Sequence, residues 1–174
     1  MGVHVLAILA LLLPILLLRN ITNTSLIAEL LIGGIVGTFL PDLDHIVYAL
    51  FLKPNELTSQ RVRKSLATWR LREACTLLFR TTSERSGLIF HTVFFQLLFV
   101  VFSFFVVTSS GSLLGRGIVL GFLLSIFIDQ LLDSMSQRDH SHWLKNMPVS
   151  ISRSQFQWYL WLQALLILLL GYVF

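Results

Sequence analysis

The sequence predicts an all-α protein: a polytopic bundle of about five membrane-spanning helices, forming a single integral membrane domain with a basic amphipathic segment at its surface. Three observations carry this. Hydrophobic residues make up 55% of the 174-residue chain and charged residues only 13%, against about a quarter charged in soluble domains. The mean hydropathy is +0.79. Apolar runs approach the length needed to cross about 30 Å of hydrocarbon, and none shows the period-2 alternation of a strand.

The first run, about residues 3–18, is interrupted by Pro14. It lacks a basic n-region, and Leu16-Leu17-Leu18-Arg19 is a poor cleavage site, so it reads as a retained helix rather than a signal peptide. The second run covers about 26–40, the third 87–108, the fourth 113–132 and the fifth 156–174. The first two are short for a full crossing at 1.5 Å per residue. Gly33, Gly34 and Gly37 in the second predict the close approach of another helix backbone. Glu29 reads as a snorkelling or helix-terminal group.

Basic residues orient the bundle. Lys53, Arg61, Arg63, Lys64, Arg70, Arg72, Arg80 and Arg85 follow the second span, and Arg138, Lys145 and Arg153 follow the fourth. With five spans both connections lie on one side with the N-terminus, leaving Arg19 and Arg116 on the other. The positive-inside rule makes the rich side cytoplasmic, in a plasma (inner) membrane.

The basic segment, about 53–85, contains "SQRVRKSLATWRLREACTLLFR", residues 59–80, without Pro or Gly. Val62, Leu66, Trp69 and Leu77 share one face of a continuous helix. Such a helix is either solvated or lies on anionic lipid headgroups, where Trp and basic residues are at home. It carries no base-reading motif, so no nucleic-acid partner is expected.

Polar residues collect on the same side. His4 opens the first span, Asp42, Asp44 and His45 follow the second, His91 lies in the first turn of the third, and Asp129 and Asp133 end the fourth. Ser125, Asp129 and Asp133 are spaced to share a helix face. Ionisable groups at membrane depth are costly and mark functional sites. With Cys75 the only cysteine, a metal site must use His, Asp and Glu. These seven residues, His4, Asp42, Asp44, His45, His91, Asp129 and Asp133, are the candidate ligands of a divalent ion. Zinc, manganese, iron and magnesium all suit such donors. Asp44 and Asp129 are further candidates for the catalytic base. Each residue has a plainer use. Asp42 would cap a helix starting at Leu43, and His91 would simply pack. His4 would be a chance polar residue near the N-terminus, and Asp129 and Asp133 would be interfacial if the fourth span ends early. His140 and His142, with Asp139 in "QRDHSHW", either line the mouth of the site or are solvated.

"GTFLPDLDH", Gly37 to His45, matches a G-x-x-x-P-D-x-D-H signature. With His4 it makes the chain resemble the inner-membrane metal-dependent hydrolase family, small bacterial and archaeal proteins described as LexA-regulated. "ERSGLIFHT", Glu84 to Thr92, stands where that family carries His-Arg-x-x-Thr-His-Ser, and "DQLLD", Asp129 to Asp133, where it carries His-x-x-x-Asp. Ser86 replaces the first family histidine and Asp129 another. The resemblance implies metal-assisted hydrolysis by a carboxylate-rich site suited to a hard ion. Its headgroup-level position suggests a lipid-linked or phosphoester substrate. Two other classes remain open: a non-catalytic scaffold or partner-binding protein whose Asp and His residues satisfy one another, and a metal or proton transporter. A transporter needs polar groups continuing across the bilayer.

Overall fold

The computed structural model describes residues 2–81, 87–135, 143 and 152–174. The described residues are helical, without a strand among them. His140, His142 and Asp139 lie outside the described residues, as do Ser86 and Arg85. The helices are α1 (Gly2–Leu18), α2 (Thr24–Phe39), α3 (Leu43–Val47) running into a π-helical turn (Tyr48–Leu52), α4 (Leu57–Ala67), α5 (Leu71–Arg80), α6 (Val93–Ser109), α7 (Leu113–Met135) and α8 (Arg153–Val173).

Side-chain caps start several of these helices. Asn23 accepts the Ser25 N–H ahead of α2, and Thr92 accepts the Phe95 N–H ahead of α6. Ser152 and Gln155 form a reciprocal capping box on α8. By length and composition, α7 (23 residues) and α8 (21 residues) can each cross a membrane. A third candidate is α2 together with α3 and its π-helical turn, bent by 41°. Pro41 lies at this bend, where its missing N–H interrupts the helix ladder. Leu40 keeps helical angles, and the Asp42 and Leu43 N–H groups bond three residues back, to Phe39 and Leu40. The chain thus turns at the end of α2 and carries its apolar character onward as helix. α1 and α6 are apolar but only 17 residues long.

α6 also begins later than the sequence suggests. Residues 87–92 form a non-helical turn, so His91 precedes the helix instead of lying in its first turn.

The axis of the bundle is the contact between α2 and α7. A Cβ added to Gly33 would collide with the Leu114 carbonyl, and one on Gly37 with that of Ile118. From the other side, Gly117 meets the Leu30 carbonyl and Gly121 that of Gly34. Four glycines thus let two parallel backbones touch, which suits helix association where lipid removes the hydrophobic drive. Around this pair pack Ile8, Leu12 and Ile15 of α1, Val107 of α6, Leu120 and Leu123 of α7, and Ile167 and Leu170 of α8. The outward faces of α6 and α8 are apolar, with Phe94, Leu98, Phe102 and Phe105 exposed on one and Trp158, Trp161, Leu165 and Tyr172 on the other.

The two ends of the bundle differ. At one, Arg19 donates to the Tyr172 carbonyl and Arg116 to that of Phe174 at 3.3 Å, cations against the C-terminal end of α8. At the other lie the start of α1, the ends of α2 and α7, and the α4–α5 hairpin.

That hairpin replaces the single helix expected over 59–80. Trp69 adopts φ 57°. Its N–H bonds the Leu66 carbonyl at 3.0 Å, and the Arg70 N–H bonds that of Ser65 at 2.9 Å. These are the two bonds of a Schellman stop. The left-handed backbone costs a residue other than glycine roughly 1–2 kcal/mol. Val62, Ala74 and Leu78 close the hairpin core on Ala49, with Leu66 and Leu77 alongside. Trp69 leaves the predicted apolar face and stands exposed at the tip.

Candidate functional site

The α2–α7 register builds the site. Residues on α7 face residues of α2 with a constant offset, seen in the pairs Leu30/Gly117 and Gly34/Gly121 and in the Ser125 hydroxyl donated to the Thr38 carbonyl at 3.0 Å. One turn further the same register sets Asp42 beside Asp129, and the Asp42 carboxyl interacts electrostatically with Asp129, His91 and His4. α3 does start at Leu43, but Asp42 makes no side-chain capping bond.

Asp129 is the hub. Its Oδ1 lies 2.9 Å from His4 Nε2, and its Oδ2 lies 3.9 Å from His91 Nε2. The first contact brings the start of α1 to the end of α7. Nδ1 of His4 is buried with no hydrogen-bond partner among the described residues.

Behind His91 stands Asp44, with 1% of its surface exposed. Its Oδ1 accepts the Ile89 N–H at 3.0 Å. Its Oδ2 accepts the Phe90 N–H at 2.6 Å and lies 3.3 Å from His91 Nδ1. The turn at 87–92 is therefore wound around a buried carboxylate, whose charge its N–H groups stabilise. A His91 that donates Nδ1–H to Asp44 turns the lone pair of Nε2 towards Asp129. A cation between the two, or a proton on Nε2, makes that approach favourable.

His45, beside Asp44 in sequence, is buried with its ring 5.3 Å from that of His91. Asp133 is drawn to a different partner: its Oδ2 accepts the Trp143 Nε1–H at 3.1 Å. Trp143 is buried, its ring 5.4 Å from His91, and its carbonyl accepts the Val93 N–H. Sequence reasoning missed Trp143, although an aromatic donor in the polar stretch "DHSHW" was a signal to follow. It also missed a buried amide group, in which Gln130 Nε2 and the Tyr159 hydroxyl both donate to Gln96 Oε1.

Six of the seven predicted residues thus lie in one connected group: His4, Asp42, Asp44, His45, His91 and Asp129. Asp133 is linked to them through Trp143. The donor chemistry, imidazole and carboxylate, fits a hard or borderline divalent ion. As the side chains stand, they pair with one another. Among the described residues no group of three or more His, Cys, Asp or Glu is gathered closely enough to hold a metal ion.

Fold and site together define an all-helical protein with membrane-length apolar helices and a partly buried Asp/His cluster at one end of its bundle. Comparison of the chain with protein-family models, curated proteins and solved structures found no match.

Proposed function

We propose that the chain is a membrane-bound, metal-dependent hydrolase, as its resemblance to the inner-membrane hydrolase family implies. In this reading α1, α2, α6, α7 and α8 are five spans and the Asp/His end faces the cytoplasm. The observation that carries the reading is Asp129 set between the Nε2 atoms of His4 and His91, with Asp44 on the far side of His91. A carboxylate behind an imidazole is the arrangement that orients metal-ligating histidines and fixes their tautomer.

His4, His91 and Asp129, with Asp42, are the residues that would hold the ion. When bound, it supplies an acidified water and polarises the scissile group. Asp44 moves from ligand or base to a positioning role, because both its oxygens already accept N–H groups. Asp42, without a side-chain capping bond and facing Asp129, would use its second carboxyl oxygen to take a proton from the water. Asp133 is held by Trp143 and supports the site from outside. The site's place at the end of apolar helices favours a lipid-linked or phosphoester substrate.

A second reading is favoured by the pairing of the side chains themselves: a scaffold in which His4–Asp129 and His91–Asp44 are structural polar locks. Elemental analysis of the detergent-purified chain separates the two. The hydrolase reading expects about one or two equivalents of a divalent metal, lost when Asp42 and Asp129 are changed to Asn. A metal-free protein after reloading with zinc, manganese or magnesium overturns it and leaves the scaffold.

A further inference from the structure

We infer that the α4–α5 hairpin is a membrane-surface anchor, with Trp69 at its tip seated among the headgroups of anionic phospholipid. Trp69 is 85% exposed and holds a left-handed backbone position that glycine would occupy without strain. An indole kept there despite the strain points to a use for the side chain outside the protein. The hairpin is not free to turn away, because Val62, Ala74 and Leu78 tie it to Ala49 beyond the end of α2.

Charge names the occupant. Arg61, Arg63, Lys64, Arg70, Arg72 and Arg80 are all exposed, whereas the one acid within the two helices, Glu73, lies 3.5 Å from Arg70. Leu57 and Leu71 are exposed beside them. A basic, partly apolar surface carrying tryptophan suits the boundary where anionic headgroups meet acyl chains, and the apolar helices of the same chain hold it at that boundary. This inference does not depend on the metal reading.

The test reconstitutes the full chain in vesicles of phosphatidylcholine, or of equal parts phosphatidylcholine and phosphatidylglycerol, each with or without brominated acyl chains. Subtracting the fluorescence of Trp69→Phe from that of the wild type isolates Trp69 among the four tryptophans. Trp69→Gly, whose glycine favours the same turn, provides a second subtraction that preserves the hairpin. The expected result is a blue-shifted Trp69 emission, quenched by brominated lipid and shielded from aqueous iodide. The lipid quenching is stronger in anionic vesicles and weakens when Arg61, Arg63, Arg70 and Arg72 are changed to Gln. Emission quenched by iodide and untouched by brominated lipid overturns the anchor. Lipid quenching of equal strength in neutral and anionic vesicles overturns the assignment to anionic headgroups.

Discussion

The Ser125 hydroxyl donates to the Thr38 carbonyl at 3.0 Å across 87 residues of sequence, and this bond continues the register set by the glycines below it. Two parallel helices in contact every four residues aim the next pair at each other, even though α2 ends at Phe39 and bends at Pro41. After Gly34/Gly121 and Thr38/Ser125 the next pair is Asp42 and Asp129, whose carboxyls interact electrostatically. The like charges that meet there are relieved by His4 and His91, which arrive from α1 and from the turn before α6.

The first prediction concerns that register. Ala at Gly37 or Gly121 puts a methyl group into the partner's carbonyl, a clash that backbone cannot relieve by changing rotamer. Each substitution should cost about 1–3 kcal/mol or more, read as a lower midpoint of thermal unfolding in detergent. Ala at Gly111, where a Cβ meets nothing within 4 Å, should leave that midpoint in place. Equal behaviour of the three variants would mean that α2 and α7 do not touch through their glycines.

A second prediction uses the amide group between α6, α7 and α8. Both amide atoms of Gln163 are buried without a hydrogen-bond partner among the described residues. Gln163→Leu should therefore stabilise the protein by about 1–2 kcal/mol, since an unsatisfied buried polar group costs that much. Gln96→Leu should destabilise it by about 1 kcal/mol, because losing the acceptor shared by Gln130 and Tyr159 outweighs the removal of its own Nε2, which has no partner among the described residues. Thermal unfolding of the two variants checks the opposite signs.

Much of this was readable in the chain. Apolar runs place helices, and charged residues at their ends cannot face lipid, so His4, PDLDH, His91 and Asp129 point to one end of the bundle. The glycines of α2 announce a close neighbour, but choosing α7 required the reciprocal Gly117 and Gly121, which sit in an ordinary-looking apolar run. Three features escaped for physical reasons. The turn at 87–92 is paid for by a carboxylate 45 residues away, and no local pattern marks such a long-range partner. The stop at Trp69 sits where no glycine signals it, because the tertiary contact of Val62 with Ala74 overrides local preference. Asp133 shares a helix face with Asp129 yet bonds Trp143, ten residues on and beyond the end of α7, so helical spacing alone made it look like an equal ligand.

Asp44 yields the third prediction. It accepts N–H groups from Ile89 and Phe90 and faces His91 Nδ1. Asp44→Asn keeps the volume and loses the charge, which should cost about 1.5–3 kcal/mol for charge-assisted bonds. On the hydrolase reading, metal affinity should also fall about 10–100-fold, the usual effect of removing a carboxylate behind a ligating histidine. A variant as stable as the wild type would show that the turn holds without its carboxylate.

The last prediction separates the two carboxylates of α7, which sequence spacing presents as equals. Asp129 contacts His4 and lies 3.9 Å from His91, whereas Asp133 takes the Trp143 indole N–H. Asp129→Asn should abolish metal retention on the hydrolase reading, and His4→Ala should weaken it, because each removes a donor that faces the shared space. Asp133→Asn should retain the metal, and should cost about 1 kcal/mol through the weaker bond to Trp143. Trp143→Phe should mimic Asp133→Asn, since both disturb the same hydrogen bond. Elemental analysis and thermal unfolding of the four variants form one experiment. Metal lost from Asp133→Asn but kept in Asp129→Asn would invert the assignment and move the centre one turn along α7, away from His4. Metal kept in all four would place any bound ion outside the Asp129 cluster. The pairs His4–Asp129 and His91–Asp44 would then be structural locks, holding the start of α1 and the turn before α6 against the end of the α2–α7 axis.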